Sequence, residues 1–206
     1  MSFRFEQKLP GSNSECRALI AKLKARGAAP LYAPRYICSE YFDTRDLVCV
    51  RDSQEGSVPR KKIRIRYYPP SPESSGPTGR ESLSFETKIS SPEGRYKLVE
   101  PISFDGYNEI SSKGFLVPEY GLFMPSVRIT YLREYYMLDG VRLTYDTRIQ
   151  AERLRDFFTY RYVGASSMKS VVEMKSQKSD CNLISDLTAG VRLERFSKYA
   201  DSFVKI

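Results

Sequence analysis

Five segments of this chain alternate charged and apolar residues with a period of two, a pattern that only a β-strand can hold. Lys62, Arg64 and Arg66 fall on one parity, and Ile63, Ile65 and Tyr67 on the other. Ser84, Glu86 and Lys88 oppose Leu83, Phe85 and Ile89. Arg142, Thr144 and Asp146 oppose Val141, Leu143 and Tyr145, while Glu173 and Lys175 oppose Val172 and Met174. Arg4, Glu6 and Lys8 alternate with Phe3, Phe5 and Gln7. One face of an ordinary antiparallel sheet can be solvated, and any one of these strands fits that description. Together they carry eight cations (Arg4, Lys8, Lys62, Arg64, Arg66, Lys88, Arg142, Lys175) and four anions (Glu6, Glu86, Asp146, Glu173). Like charges on neighbouring strands repel, so a face lined with Lys-Arg-Arg calls for an anion beside it. A closed barrel with a polar interior accommodates such rows. Its Arg and Lys side chains would grip phosphate oxygens, and its clustered carboxylates would hold a divalent metal.

The rest of the chain supplies a frame for these strands. Ser12 and Glu15 have capping-box spacing ahead of Cys16, Leu19, Ile20 and Leu23, and Gly27 follows, which predicts a helix over about 13–26. Pro34 to Asp43 is strand-like, and a turn and a short segment at Leu47 to Val50 follow it. The stretch Pro69 to Arg80 is rich in Pro, Ser and Gly and reads as a mobile surface loop between two strands. Arg95 to Ile102 is a further strand, and 106–122 reads as helical or irregular. Asp139-Gly140 is a hairpin signal joining Val127–Met137 to Val141–Ile149. Ser170 to Lys175 is the last strand, and helix is expected from Cys181 through Phe203. The expectation is an α+β fold: about eight mostly antiparallel strands in one domain over 1–206, with three or four helices.

Composition limits the chemistry. The chain has no histidine, which removes Ser-His and Cys-His catalysis and His-ligated zinc. A metal here would be held by carboxylates, so Mn²⁺ or Mg²⁺ is expected. The net charge of +8 points to a polyanionic partner without choosing one. The first residues, MSFRFEQKLPG, lack the apolar core of a secretion signal, and no run of 18 apolar residues is present. The four cysteines (Cys16, Cys38, Cys49, Cys181) form no C-x-x-C pair and read as reduced, buried thiols of a cytoplasmic protein.

Eight short motifs, in order, resemble those of the VTC domain, the polyphosphate-polymerase branch of the CYTH-like triphosphate tunnel superfamily. Arg4-Phe5-Glu6-Gln7-Lys8 is similar to its opening R-x-E-x-K strand, and Tyr41-Phe42-Asp43-Thr44 to its YFDT. Lys62 to Arg66 resembles K-x-R-x-R, and Glu86-Thr87-Lys88 resembles E-x-K. Pro125 through Arg133, Arg142 to Asp146, Glu173-Met174-Lys175 and Ser197-Lys198-Tyr199 complete the series. The resemblance implies an eight-stranded antiparallel tunnel. It implies that Arg64, Arg66, Arg133, Arg142 and Lys198 act on the transferring phosphate. Lys8, Lys62, Lys88, Lys97 and Lys175 would bind phosphates, with Arg95 a less fitting alternative to Lys97. Glu173 would be the main metal ligand, and Glu6 and Glu86 its helpers. In YFDT, Tyr41 and Phe42 read as packing residues and Asp43 as a turn cap. Arg133 shares parity with Val127, Ile129 and Tyr131, an otherwise apolar face; a bulge between them would re-aim it. Leu9 stands where the family often has an aromatic residue.

The implied function is metal-dependent transfer of the γ-phosphate of a nucleoside triphosphate to a polyphosphate chain. Such transfer depends on positioning and charge stabilisation, which suits a site without histidine. The same cage with water as nucleophile would be a triphosphatase. A non-catalytic polyphosphate or nucleotide sensor is a third reading, although Glu173 would repel phosphate unless a metal lay between. Nucleic acid is not the expected partner, because the rows are of mixed sign rather than basic patches with interleaved aromatics. The family's polymerases often work beside a membrane channel, so a membrane-protein partner is an expectation although this chain shows no membrane segment.

Overall fold

The computed structural model describes residues 4–73, 76–154, 166–167, 169–177, 181–189, 191, 194 and 196–203. Phe3, two positions of the expected 69–80 loop, part of the expected C-terminal helix, and the side chains of Arg4 and Cys181 lie outside that description.

The strands are β1 (Arg4–Gly11), β2 (Ala29–Asp43), β3 (Arg60–Tyr67), β4 (Leu83–Ser91), β5 (Gly94–Ile102), β6 (Phe115–Val117), β7 (Gly121–Leu138), β8 (Val141–Arg153), β9 (Ser166–Ser167) and β10 (Ser170–Gln177). The helices are α1 (Asn13–Ala25), α2 (Val48–Glu55), α3 (Phe104–Lys113), α4 (Cys181–Leu187) and α5 (Lys198–Asp201). One sheet path runs β1-β10-β8-β7-β2-β3-β4-β5, with β6 paired to β7 and β9 to β8. The pairs β1/β10, β10/β8, β2/β3, β3/β4, β4/β5 and β6/β7 are antiparallel. The expected α+β class with eight strands in the main path is observed.

By compactness the chain divides into one unit of 1–35, 131–149 and 167–196 and a second of 36–130, 150–166 and 197–206. In the first, Ser12 caps α1 as its spacing predicts: its Oγ accepts from the Glu15 amide at 3.2 Å, and Glu15 Oε2 accepts from the Ser12 amide at 2.7 Å. The helix then buries Cys16, Leu19, Ile20 and Leu23 in one cluster with Leu9, Leu143, Val172 and Met174. Each such aliphatic side chain contributes about 1.5–3 kcal/mol when fully buried. Because the helix covers the apolar parity, the other parity of β1, β8 and β10 carries Glu6, Lys8, Arg142, Thr144, Asp146, Glu173 and Lys175. The β7–β8 turn is Asp139 (φ 45°) and Gly140 (φ 79°), the pair of positive values that a tight two-residue hairpin requires.

In the second unit Ile63, Ile65 and Tyr67 are buried while Lys62, Arg64 and Arg66 are half-buried, so the parity of β3 is as expected. Phe115 packs against Phe42, Phe85 and Phe123 with ring centroids 5.4–5.7 Å apart. Gly114 (φ 73°) sits at the turn from α3 into β6, where a Cβ would lie 2.3 Å from the Phe123 carbonyl oxygen; no other residue fits.

Three expectations change. The segment at Leu47 to Val50 opens helix α2, because Asp43 accepts from the amides of Cys49 and Val50 and so holds the first turn. The 106–122 region resolves into α3 and the β6–β7 hairpin. The continuous C-terminal helix is two short ones, with non-helical backbone described at 191, 194, 196 and 197 between them; Ser197 starts α5 by accepting from the Ala200 amide. Cys16, Cys38 and Cys49 are buried free thiols.

Candidate functional site

In the second unit, antiparallel register sets Lys62 opposite Lys88 and Lys88 opposite Lys97, a row of three lysines across β3, β4 and β5. Beside it Arg64 faces Glu86, and Arg66 faces Ser84. Glu86 is 5% exposed and gathers the neighbouring cations. Its Oε2 accepts from Arg64 Nη2 at 2.5 Å and Nε at 2.8 Å, with Arg66 Nη1 at 4.0 Å, while Oε1 accepts from Lys97 Nζ at 2.9 Å. Burial alone would raise this carboxyl, but Arg64, Arg66 and Lys97 overcome burial and bring it down to about 2. Arg66 Nε also donates to Ser39 Oγ at 3.1 Å, and Arg64 Nη1 to Tyr41 Oη at 2.8 Å. Each guanidinium is thereby held in one orientation.

A substitution tests this. The folded-state pKa of Glu86 lies below its ordinary value of 4.5, so its contribution to stability is present above about pH 4.5 and is lost as pH falls toward 2. Glu86→Gln is expected to lower stability at pH 7 by about 1–3 kcal/mol and to flatten that acid-side loss. Tripolyphosphate should raise the melting temperature of the variant more than that of the wild type, because the anion replaces the missing charge. Equal shifts in both proteins in a thermal melt series would show that Glu86 does not balance this row.

The YFDT and SKY motifs meet in the same unit. Asp43 Oδ1 accepts from the amides of Thr44 (2.8 Å) and Cys49 (3.0 Å), and Oδ2 from the Val50 amide (3.1 Å) and from Tyr199 Oη (2.5 Å). Burial still leaves this carboxyl above its usual value. The Tyr199 ring stacks on Tyr41 with centroids 4.5 Å apart and planes at 13°. Ser197 Oγ accepts from Lys62 Nζ at 2.8 Å. Asp43 thus caps as expected and Phe42 packs, but Tyr41 does more than pack: it joins Arg64 to the C-terminal helix. Burial opposes ionisation of its phenol, yet Arg64, Arg66 and Lys62 bring it down to about 8. Lys198 is the half-buried first residue of α5.

In the first unit the charged parity forms two cross-strand rows. Lys8 faces Glu173, which faces Thr144; Glu6 faces Lys175, which faces Arg142. Lys175 Nζ lies 2.9 Å from Glu173 Oε1 and 3.6 Å from Glu6 Oε2, and Lys8 Nζ lies 3.5 Å from Glu6 Oε1. Arg133 grips Asp146 with two parallel bonds, Nε to Oδ1 at 2.6 Å and Nη2 to Oδ2 at 2.7 Å, and its Nη2 is 3.8 Å from Glu173 Oε2. Its guanidinium also lies over the Tyr131 ring at 5.3 Å. Arg133 and Tyr131 thus share a face of β7, and that face carries charge at this end of the strand. Of the four anions on the strand rows, Asp146 is the bidentate partner of Arg133. The tight hairpin could have shown this, since Arg133 and Asp146 lie the same distance along β7 and β8 from the turn.

Of the predicted residues, Lys62, Arg64, Arg66, Glu86, Lys88 and Lys97 come together on β3–β5. Lys8, Arg133, Arg142, Glu173, Lys175 and Glu6 come together on β1, β7, β8 and β10. Arg95 faces Ser90 and makes no described bond to Glu86, whereas Lys97 donates to Glu86 and lies in the lysine row. Sequence reasoning missed Ser39, which carries no motif, and the bonding role of Tyr41.

Among the described residues no group of three or more carboxylates or thiols forms a metal cage. Mg²⁺ and Mn²⁺ do not need one: a pair of carboxylates plus substrate phosphate oxygens suffices. Glu173 and Glu6 fit that mode, since they already share one cation, the Lys175 ammonium. Glu86 does not fit it; enclosed by Arg64, Arg66 and Lys97, it is placed to orient them.

The VTC domain model matches residues 3–205. The chain belongs to the VTC domain family. No curated protein matches it. Among solved structures, a "putative adenylate cyclase" from Bacillus halodurans is similar, at 13% identity and a TM-score of 0.63, with 95% of this chain and 94% of that one covered. A conserved hypothetical protein from Pyrococcus furiosus matches at 16% identity and TM-score 0.56, covering 96% and 99%. A "putative adenylyl cyclase" from Hippeastrum, described as having a dominant triphosphatase activity, matches at 13% identity and TM-score 0.55, covering 98% and 96%. At these identities the likeness establishes the fold, and it is the CYTH-like triphosphate tunnel fold that the motifs imply. No helix among the described residues is long and apolar enough to cross a membrane.

Proposed function

We propose that this VTC domain is a metal-dependent polyphosphate polymerase acting as one tunnel domain over 1–206. The observation that carries the reading is the in-register row Lys62–Lys88–Lys97 beside Arg64 and Arg66, both oriented by buried Glu86. Three lysines directly across from one another concentrate positive charge that an anion of comparable charge density would stabilise. A string of phosphates has that density.

In this reading Lys8, Lys62, Lys88, Lys97 and Lys175 bind phosphate oxygens along the chain. Arg64, Arg66, Arg133 and Arg142 neutralise charge that grows on the transferring phosphoryl group, and Lys198 joins them from α5. An oxygen of the terminal phosphate on the growing chain attacks the γ-phosphorus of the nucleoside triphosphate. The bond to the bridging oxygen breaks, and nucleoside diphosphate leaves. Glu173 and Glu6 would hold Mn²⁺ or Mg²⁺, which supplies charge neutralisation to the bound phosphates. The fixed guanidinium geometry supports this chemistry because phosphoryl transfer gains most from preorganised positive charge. A nucleoside triphosphate substrate and the buried free thiols suit a cytoplasmic setting, with a membrane protein as the receiver of the product.

The triphosphatase described for the Hippeastrum protein favours hydrolysis as a second reading. Incubation with ATP and Mn²⁺ or Mg²⁺ separates them. Long-chain polyphosphate with stoichiometric ADP is the expected result. Orthophosphate and ADP alone would replace the polymerase with the hydrolase, and binding without turnover would leave a sensor.

A further inference from the structure

Thr144 ends one of the charged rows of the first unit, and among the described residues its hydroxyl has no hydrogen-bond partner. It lies on β8 between Arg142 and Asp146 on the same parity and directly faces Glu173 on β10. It is 4% exposed, and among the described residues its hydroxyl is buried without a hydrogen-bond partner. Its charged neighbours are engaged elsewhere. Both carboxylate oxygens of Asp146 accept from Arg133, and Glu173 Oε1 faces the Lys175 ammonium. A buried hydroxyl left unbonded lowers stability, and valine would fill the same volume in a strand without that cost. A packing role therefore does not explain a threonine here.

We propose that the Thr144 hydroxyl is a substrate ligand that donates to a non-bridging phosphate oxygen of the bound triphosphate or polyphosphate. This rests on the polymerase reading above and adds a residue to its site. The neighbourhood suits that acceptor. Arg142 lies two residues away on β8, Lys175 and Arg133 lie on the flanking strands β10 and β7, and Lys8 lies on β1 beyond β10; these four cations outnumber the carboxylates Glu6, Glu173 and Asp146. A short neutral donor adds a hydrogen bond where another cation would compete with Arg133 for Asp146. The orphaned hydroxyl is then a preorganised donor, satisfied only when ligand is bound.

The test compares Thr144→Val, which keeps the shape, with Thr144→Ser, which keeps the hydroxyl. Two quantities are read in the full chain: tripolyphosphate affinity by titration calorimetry, with and without Mg²⁺, and the melting temperature without ligand. The valine variant is expected to melt at or above the wild-type temperature while binding tripolyphosphate about tenfold to a hundredfold more weakly, the range for a lost hydrogen bond to a charged group. The serine variant should bind within about threefold of wild type, since its donor survives. Wild-type affinity in the valine variant would overturn the proposal. So would a lowered ligand-free melting temperature with unchanged affinity, which would show a structural bond, such as one to a buried water. If the wild type itself binds no tripolyphosphate, the polymerase reading fails first and this one with it.

Discussion

Arg133→Ala is expected to cost about 3–5 kcal/mol of folding stability, the range for removing one member of a buried ion pair. Its partner Asp146 is fully buried, and both carboxylate oxygens accept from this one guanidinium. Without Arg133 that carboxylate keeps its desolvation penalty and loses its compensation. Burial alone would lower the arginine's own pKa, but Tyr131, Asp146 and Glu173 hold it far above its usual range, so the guanidinium keeps its charge. Urea denaturation at pH 7 measures the loss directly. A paired variant, Arg133→Met with Asp146→Leu, should recover much of it, because a well-packed apolar pair has no charge to compensate. Turnover should fall at least a hundredfold in both, since the phosphate contact proposed for Arg133 would be absent from each. A loss below about 1 kcal/mol in the single variant would show that Asp146 finds other donors.

Tyr199→Ala is expected to be comparably damaging, about 3–5 kcal/mol, the range for truncating a buried aromatic to alanine. Tyr199 is 1% exposed, stacks on Tyr41 and donates to Asp43. Tyr199→Phe keeps the stack and removes one hydrogen bond. It should cost only about 1–2 kcal/mol, because Asp43 retains the amides of Thr44, Cys49 and Val50. The alanine variant should also expose the amides of α5 to hydrogen exchange and weaken triphosphate binding, since Ser197 loses its place beside Lys62 and Tyr41 its support beneath Arg64. Unchanged exchange at α5 in that variant would show that the helix is docked by other contacts.

These two predictions differ in how much of their basis a reader of the sequence could reach. The parity of the β3 cations was legible, because alternation across a strand follows from backbone geometry alone. So were the Ser12–Glu15 cap of α1 and the Asp139-Gly140 turn, both set by residues within a few positions of each other. The motif order brought out YFDT and SKY as units of interest. It did not say that they touch. Asp43 and Tyr199 lie 156 positions apart, and nothing local records their bond. The helix at Val48–Glu55 escaped for a related reason: its first turn is held by the buried Asp43 carboxylate, and the short segment at Leu47 to Val50 carries no helix signal of its own.

The sequence by itself therefore determined which face of each strand is charged, where the tight turns fall, and that, with no histidine, the side chains available for chemistry are Arg, Lys, carboxylates and Tyr. The tertiary structure decided which charges answer one another. It gave Glu86 to Arg64, Arg66 and Lys97, gave Asp146 to Arg133, and set Glu6 and Glu173 about Lys175. It also left the Thr144 hydroxyl without a partner among the described residues. The physical reason is range. A strand's alternation is fixed within two residues, whereas the register that aligns β1 with β10, or β4 with β5, is chosen by the packing of whole strands, and an ion pair exists only once that register is set.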